Sequence, residues 1–365
     1  MTLHLRAAWH RVEHSRLLRW TVAVLAVVLV IEYVVLPQLV GSGNVVSAVL
    51  RLPLSLVLCA LLLEAASLAA YSWLTREVLP GDRRPGFFTL FRIDLADLAV
   101  NHTVPGGGTT SAAARFRLLT RCGVQSEDAL SAATVQVVGA NLVLAGLFGL
   151  GLLTVHGASA GGRYLTIAGA VVLVLLALSI AVLTVLDRHL AGAVHAVRAV
   201  ARAVRIVSPA SAEQFVRTIA GEVQMLRRDP RRLAAAVVLA ALRYVLDAAC
   251  LWLFLAAFGH VLHPAELLLA YSLANLVALV PLTPGGLGLV EGVLVPMLVA
   301  FGAPDHAALL GVLSWRLVQF WLPIPAGGLA YLSLRLGILR RTRKRPRNEG
   351  SGAALTAAGH SQPGD

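Results

Sequence analysis

Charge is scarce in this sequence. Asp, Glu, Lys and Arg make up 14% of 365 residues, against roughly a quarter in ordinary soluble domains, which excludes a chain that folds as a water-soluble globule. Cysteine is nearly missing as well. Cys59, Cys122 and Cys250 show no paired or metal-like spacing, so neither a disulfide framework nor a cysteine metal site is expected. No Ser-His-Asp, HExxH or multi-carboxylate spacing supports hydrolytic or metal-assisted chemistry. His260 and His263 have no further ligands nearby. The stretch GLGLVEG from Gly286 lacks the third glycine and the preceding strand of a dinucleotide fingerprint. The expectation is therefore no enzyme, no metal and no cofactor.

What fills the chain is hydrocarbon. Hydrophobic residues reach 58% and mean hydropathy is +0.77. Several apolar runs reach the roughly 20 residues that cross a bilayer as helix, and full spans are expected at 20–40, 47–73, 128–154, 164–187, 233–258 and 307–336. The first run is too long, and too far from a small-residue cleavage pattern, for a signal peptide, and reads as a span. Two stretches remain, 88–122 and 265–302, apolar enough for membrane depth yet broken in the middle by Pro and Gly.

The formal net charge is +12 with a pI near 10.8. The basic residues, almost all Arg, cluster just outside apolar runs. That pattern points to anionic lipid headgroups and not to nucleic acid. With the N-terminus inside, one face collects all but four of the 31 Lys and Arg, the exceptions being Arg51, Arg163, Arg243 and Arg316. Both termini are then cytoplasmic, as in a multi-pass protein of a bacterial-type inner membrane. Within 188–231, Arg188, His195, Arg198, Arg202 and Arg205 recur on one helical face, which predicts an interfacial amphipathic helix. A homo-oligomer is compatible with the sequence.

This topology requires both broken stretches to enter and leave on one side. Pro105-Gly106-Gly107 and Pro284-Gly285-Gly286 are the two PGG triplets of the chain, 179 positions apart, and the same offset pairs Gly123 with Gly302 and Ala129-Leu130 with Ala308-Leu309. Three spans separate the two stretches, so the second is turned over. The expected fold is all-α: a polytopic helical membrane protein of about six full spans plus two re-entrant broken-helix hairpins related as an inverted repeat, an architecture used by transporters to build midplane sites. Pro284, Gly285, Gly286 and Gly288 would let two half-helices meet with open backbone. Their exposed terminus suits a phosphate or other anion. Glu291, one turn later, reads either as a dipole-favoured carboxylate that stabilises the hairpin or as a handler of substrate or protons.

Ionisable residues at membrane depth are costly and mark function or a buried partner. Arg243 and Asp247, four apart, are expected to form a structural ion pair. Glu64 and Arg316 have no local partner, so an interhelical pair or a headgroup contact is expected for each. Asp94, Asp97 and Asn101 share one helical face ahead of the first break and read as an ion or proton path or as solvated interfacial groups. Arg115 and Arg117 follow it and read as ligands for a lipid phosphate or as inside-positive charges.

The stretches PLTPGGLGLVEG and NHTVPGGGTTSAAARFRLLTRCG resemble the two signatures of the lysylphosphatidylglycerol synthase transmembrane region family. The resemblance covers roughly 15–340. It implies a flippase-like module that moves a phospholipid or lipid-linked anion between leaflets, the alternative being a non-catalytic scaffold or regulator of envelope lipid or glycan assembly. In the full-length synthases a soluble aminoacyltransferase domain follows; little chain follows the last span here, so that domain and its reaction are expected to be absent. The expected organisation is a cytoplasmic basic N-terminus (1–19), a flippase-like transmembrane domain (20–338) and a basic, disordered cytoplasmic tail (339–365).

Overall fold

The computed structural model describes residues 51–79, 84–104, 107–154, 228–279 and 283–343, with isolated positions at 47, 48, 217, 220, 221 and 224. The expected spans at 20–40 and 164–187, the amphipathic helix within 188–231 and most of the tail lie outside the described residues. Every regular element among the described residues is helical.

The described residues form nine helices, in chain order α1 Leu54–Val78, α2 Phe87–Thr103, α3 Gly107–Arg121, α4 Ser126–Thr154, α5 Pro230–Ala257, α6 Pro264–Val277, α7 Leu289–Ala300, α8 Asp305–Arg316 and α9 Pro323–Arg343. A 3₁₀ turn at Pro284–Gly286 precedes α7, and a π turn at Leu317–Trp321 joins α8 to α9. Among the described residues, four pieces are long and apolar enough to cross a membrane: α1, α4, α5 and the run Asp305–Leu336. α1 starts later than the expected 47–73 because Pro53 stands at its N-cap and sets the entry. Asp229 caps α5, accepting from the amides of Arg231 and Arg232, each at 3.2 Å, with Pro230 at the first helical position.

The two broken stretches do not run through as rods. α2 and α3 fold back on one another, with Leu90 and Ile93 packed in one cluster with Leu118 and Leu119. α6 and α7, of 14 and 12 residues, fall short of the roughly 20 needed to cross. At the end of each hairpin stands the same device. Val124 N bonds Leu119 O at 3.2 Å and Gly123 N bonds Thr120 O at 3.1 Å; Ala303 N bonds Leu298 O at 3.0 Å and Gly302 N bonds Val299 O at 2.9 Å. These are Schellman closures, and both glycines are left-handed, with φ +95° and +94°.

The offset of 179 thus relates whole units. It carries α1 onto α5, the α2–α3 hairpin onto α6–α7, and α4 onto the run α8–π turn–α9. α1 and α5 pack on each other antiparallel: Cys250 Sγ reaches Ala60 O at 3.7 Å, and Ser67 Oγ donates to Arg243 O at 3.0 Å. As one number rises the other falls. Equivalent helices that meet antiparallel are related by a two-fold axis across the helix direction, which is the signature of an inverted repeat. The fourth helix of each unit then crosses to the other unit's hairpin. α4 packs on α6 and α9 on α2, with Gly151 against Leu269 and Gly327 against Leu95 and Ala99.

Glu127 and His306 are exposed equivalents just after the two hairpins. With Cys59, Cys122 and Cys250 replaced by Ser, Glu127→Cys and His306→Cys should react with a membrane-impermeant maleimide from opposite faces; reaction from one face would end the inversion.

Candidate functional site

Each unit buries one arginine against one carboxylate. In the first, Arg115 of α3 is 3% exposed. Its Nη2 lies 3.0 Å from Asp94 Oδ1 of α2 and donates to Thr75 Oγ1 of α1 at 2.8 Å and to Gln136 Oε1 of α4 at 2.5 Å. Its Nη1 donates to Tyr71 OH at 2.8 Å, and Thr75 Oγ1 donates to Asp94 Oδ2 at 3.1 Å. One guanidinium therefore ties together all four helices of its unit. The planar fork of Arg suits such a role, whereas a point charge would reach fewer partners.

In the second unit Arg316, 2% exposed, pairs through Nε with Glu291 Oε1. Nη2 donates to Gly286 O and Nη1 to Gln319 Oε1, each at 3.2 Å. Glu291 Oε2 accepts the Gly288 N–H at 2.7 Å. The start of α7, expected to offer free N–H groups to an anion, already carries one: the Glu291 carboxylate caps it and neutralises Arg316 in the same stroke.

The two breaks touch. Gly285 and Gly286 have φ +52° and +74°, where side chains strain the backbone. A Cβ at Gly285 would come 2.5 Å from Phe320 Cε2 and 2.8 Å from His102 Cδ2; one at Gly286 would come 2.8 Å from Ala278 Cβ. His102, near the end of α2, stacks on Phe320 with centroids 4.2 Å apart and donates from Nδ1 to the Phe320 carbonyl at 3.0 Å. Pro323 and Pro325 withhold two N–H donors from the carbonyls of this turn, consistent with the wider i→i−5 bond from Leu322 N to Leu317 O at 3.0 Å.

A third polar group sits where α1 meets α5, and here one expectation is corrected. Arg243 and Asp247 do not form an ion pair. Asp247 accepts from Tyr271 OH of α6 at 2.7 Å and from Trp315 Nε1 of α8 at 2.6 Å, while the Arg243 guanidinium lies over the rings of Tyr71 at 4.2 Å and Tyr244 at 5.1 Å. One turn apart on α5, the two side chains face different neighbours, and the aromatic faces of Tyr71 and Tyr244 hold the cation.

The remaining candidates spread out. Pro105 and Gly106 lie outside the described residues, and Gly107 opens α3. Arg117 is exposed, Pro284 is buried and Gly288 is exposed at the N-cap of α7. Asp97 and Asn101 are half-buried on α2 below Asp94, and Asp97 Oδ1 is a buried oxygen without a hydrogen bond. Glu64 on α1 lies beside Asp247 and Arg243, not beside Arg316. Sequence reasoning missed Tyr71, Thr75, Gln136, Tyr271 and Trp315, the neutral groups that receive the charges. Gln136, an amide inside an apolar run, was the one legible signal.

The model of the lysylphosphatidylglycerol synthase TM region matches residues 20–327. The chain belongs to that family. It is a multi-pass membrane protein. A UPF0104 membrane protein of Methanothermobacter thermautotrophicus is 24% identical over 322 residues, covering 84% of this chain and 94% of that protein. A second, from Methanocaldococcus jannaschii, is 28% identical over 109 residues, 30% of this chain and 32% of that protein.

Removing one partner of a buried pair strands the other charge. Asp94→Ala should lower stability by about 3–5 kcal/mol, and Asp94→Ala with Arg115→Met by distinctly less. Thermal unfolding in detergent checks the order; a double variant as unstable as the single one would show that Asp94 and Arg115 are not coupled.

Proposed function

We propose that this member of the family moves a phospholipid or lipid-linked anion between the leaflets of an inner (plasma) membrane by alternating access, with both termini cytoplasmic. The observation that carries the reading is the meeting of two broken hairpins from inverted units at His102, Gly285 and Phe320, flanked by two buried arginines, each held by a carboxylate. Such groups are expensive at membrane depth and mark function or a buried partner.

A headgroup phosphate has the charge and the oxygen geometry to take the place of either carboxylate. At Arg316 it would find a buried guanidinium and, beside it, the amide of Gly288, both already oriented, so the exchange replaces one anion by another at small net cost. At Arg115 it would replace Asp94 while Tyr71, Thr75 and Gln136 hold the guanidinium in place. Binding at one pair while the other stays closed gives two states related by the internal two-fold. The π turn directly after Arg316 is the natural place for the change of register that separates them.

A second reading, a non-catalytic scaffold in envelope lipid or glycan assembly, draws on the way Arg115 braces four helices, which suits a fixed structure equally well.

In vesicles containing fluorescent phosphatidylglycerol, Glu291→Gln strands the Arg316 charge and should lower the unfolding temperature; assayed well below that temperature, it should slow lipid movement at least tenfold, the order of a ~1.4 kcal/mol loss. An unchanged rate removes Glu291 from the mechanism, and wild-type vesicles no faster than protein-free ones favour the scaffold.

A further inference from the structure

Positive charge runs short between the described spans. Arg115 answers Asp94 and Arg316 answers Glu291, which leaves Glu64 and Asp247 to share Arg243. Glu64 and Asp247 meet. The α1–α5 register, with Cys250 Sγ against Ala60 O and Ser67 Oγ against Arg243 O, sets the two carboxyls opposite each other.

Both oxygens of Asp247 already accept from neutral donors, Tyr271 OH and Trp315 Nε1, which leaves Asp247 the acceptor of the pair. Glu64 has no such donors, and its Oε2 is buried without any hydrogen bond. Two carboxylates in contact away from water cannot both stay ionised without a cation between them. A proton on Glu64, donated to Asp247, replaces the repulsion of two anions by one hydrogen bond.

The surroundings agree. Facing the pair are Arg243, Tyr244 and Cys250 of α5 and Tyr271 of α6, while α8 contributes the neutral indole of Trp315. On α1 the Tyr71 ring lies under the Arg243 guanidinium at 4.2 Å, and Asp97 of α2 feels both Arg115 and Arg243. Arg243 is the one cation among the described residues facing the pair, and it rests on tyrosine rings.

We propose that the Glu64–Asp247 carboxyl pair is a proton-binding site at the internal two-fold axis, and that loss of its proton is the ionic step coupled to movement of the headgroup. Glu64 and Arg243 are equivalents under the offset of 179, so the site sits where the two units exchange and is related equally to both openings. Its link to the ion pair of the second hairpin is short. Asp247 holds Trp315, and the next residue on α8 is Arg316, partner of Glu291. The coupling rests on the transport reading; the proton site does not.

Infrared difference spectra of the purified protein, taken between acid and alkaline pH, test the site directly. The carbonyl absorption of a protonated carboxyl should be present in the wild type at neutral pH, shift in Asp247→Asn and vanish in Glu64→Gln. Exchanging choline chloride for sodium chloride at constant pH should leave it alone. A wild type without the band, or a Glu64→Gln variant that keeps all of it, overturns the proposal, and loss of the band on adding sodium makes the pair a metal-cation site instead. In vesicles with an imposed pH gradient, lipid movement by the wild type should change severalfold with the direction of the gradient and Glu64→Gln should lose that response. Wild-type movement indifferent to the gradient overturns the coupling. The band without any lipid movement refutes the transport reading and leaves the proton site standing.

Discussion

The antiparallel contact of α1 with α5 is the constraint from which the rest of the molecule follows. Because these helices are equivalent members of two units, their opposed packing forces one unit to be the other turned over. The hairpins must then approach from opposite sides, and their breaks can meet only near the middle. The long fourth helices, α4 and α9, lock the arrangement by crossing to the opposite hairpin, where Gly151 and Gly327 allow close helix approach. Broken backbone at Pro284–Gly286 is tolerable at that depth because protein buries it.

Burial of charge takes the same form twice but with different register. In the first unit both members of the pair come from the hairpin itself, Asp94 on α2 and Arg115 on α3; in the second the carboxylate is in the hairpin and Arg316 is on the following span. The architecture conserves a function of position, one neutralised guanidinium per hairpin, without conserving the residue that supplies it. Glu291 does three things with one side chain: it caps α7, fixes Gly288 and neutralises Arg316. That economy explains why the PGG run is followed by a carboxylate and not by any helix former.

Much of this was legible in order of appearance. Long apolar runs reported the spans because about 20 residues of helix match the bilayer, and the PGG triplets reported the breaks because Pro and Gly cannot continue a helix unpunished. The 179-residue offset reached further than the few identities that revealed it, since it also relates helix ends and the closures at Gly123 and Gly302. The ion pairs were only half legible. Asp94, Arg115, Glu291 and Arg316 stood out as charges in an apolar context, but nothing along the chain says that 94 meets 115 or that 291 meets 316.

Sequence by itself determined that this chain lives in a membrane, that it is helical, where it breaks and that its halves repeat, because hydropathy, helix length and backbone restriction act locally. Tertiary structure alone decided the partners. It sent Asp247 to Tyr271 and Trp315 and away from Arg243, laid Arg243 on tyrosine faces and set Glu64 against Asp247. Helical spacing fixes the direction in which a side chain points; what it meets depends on which helices pack, and that is settled by apolar surfaces and glycine contacts far away in the chain.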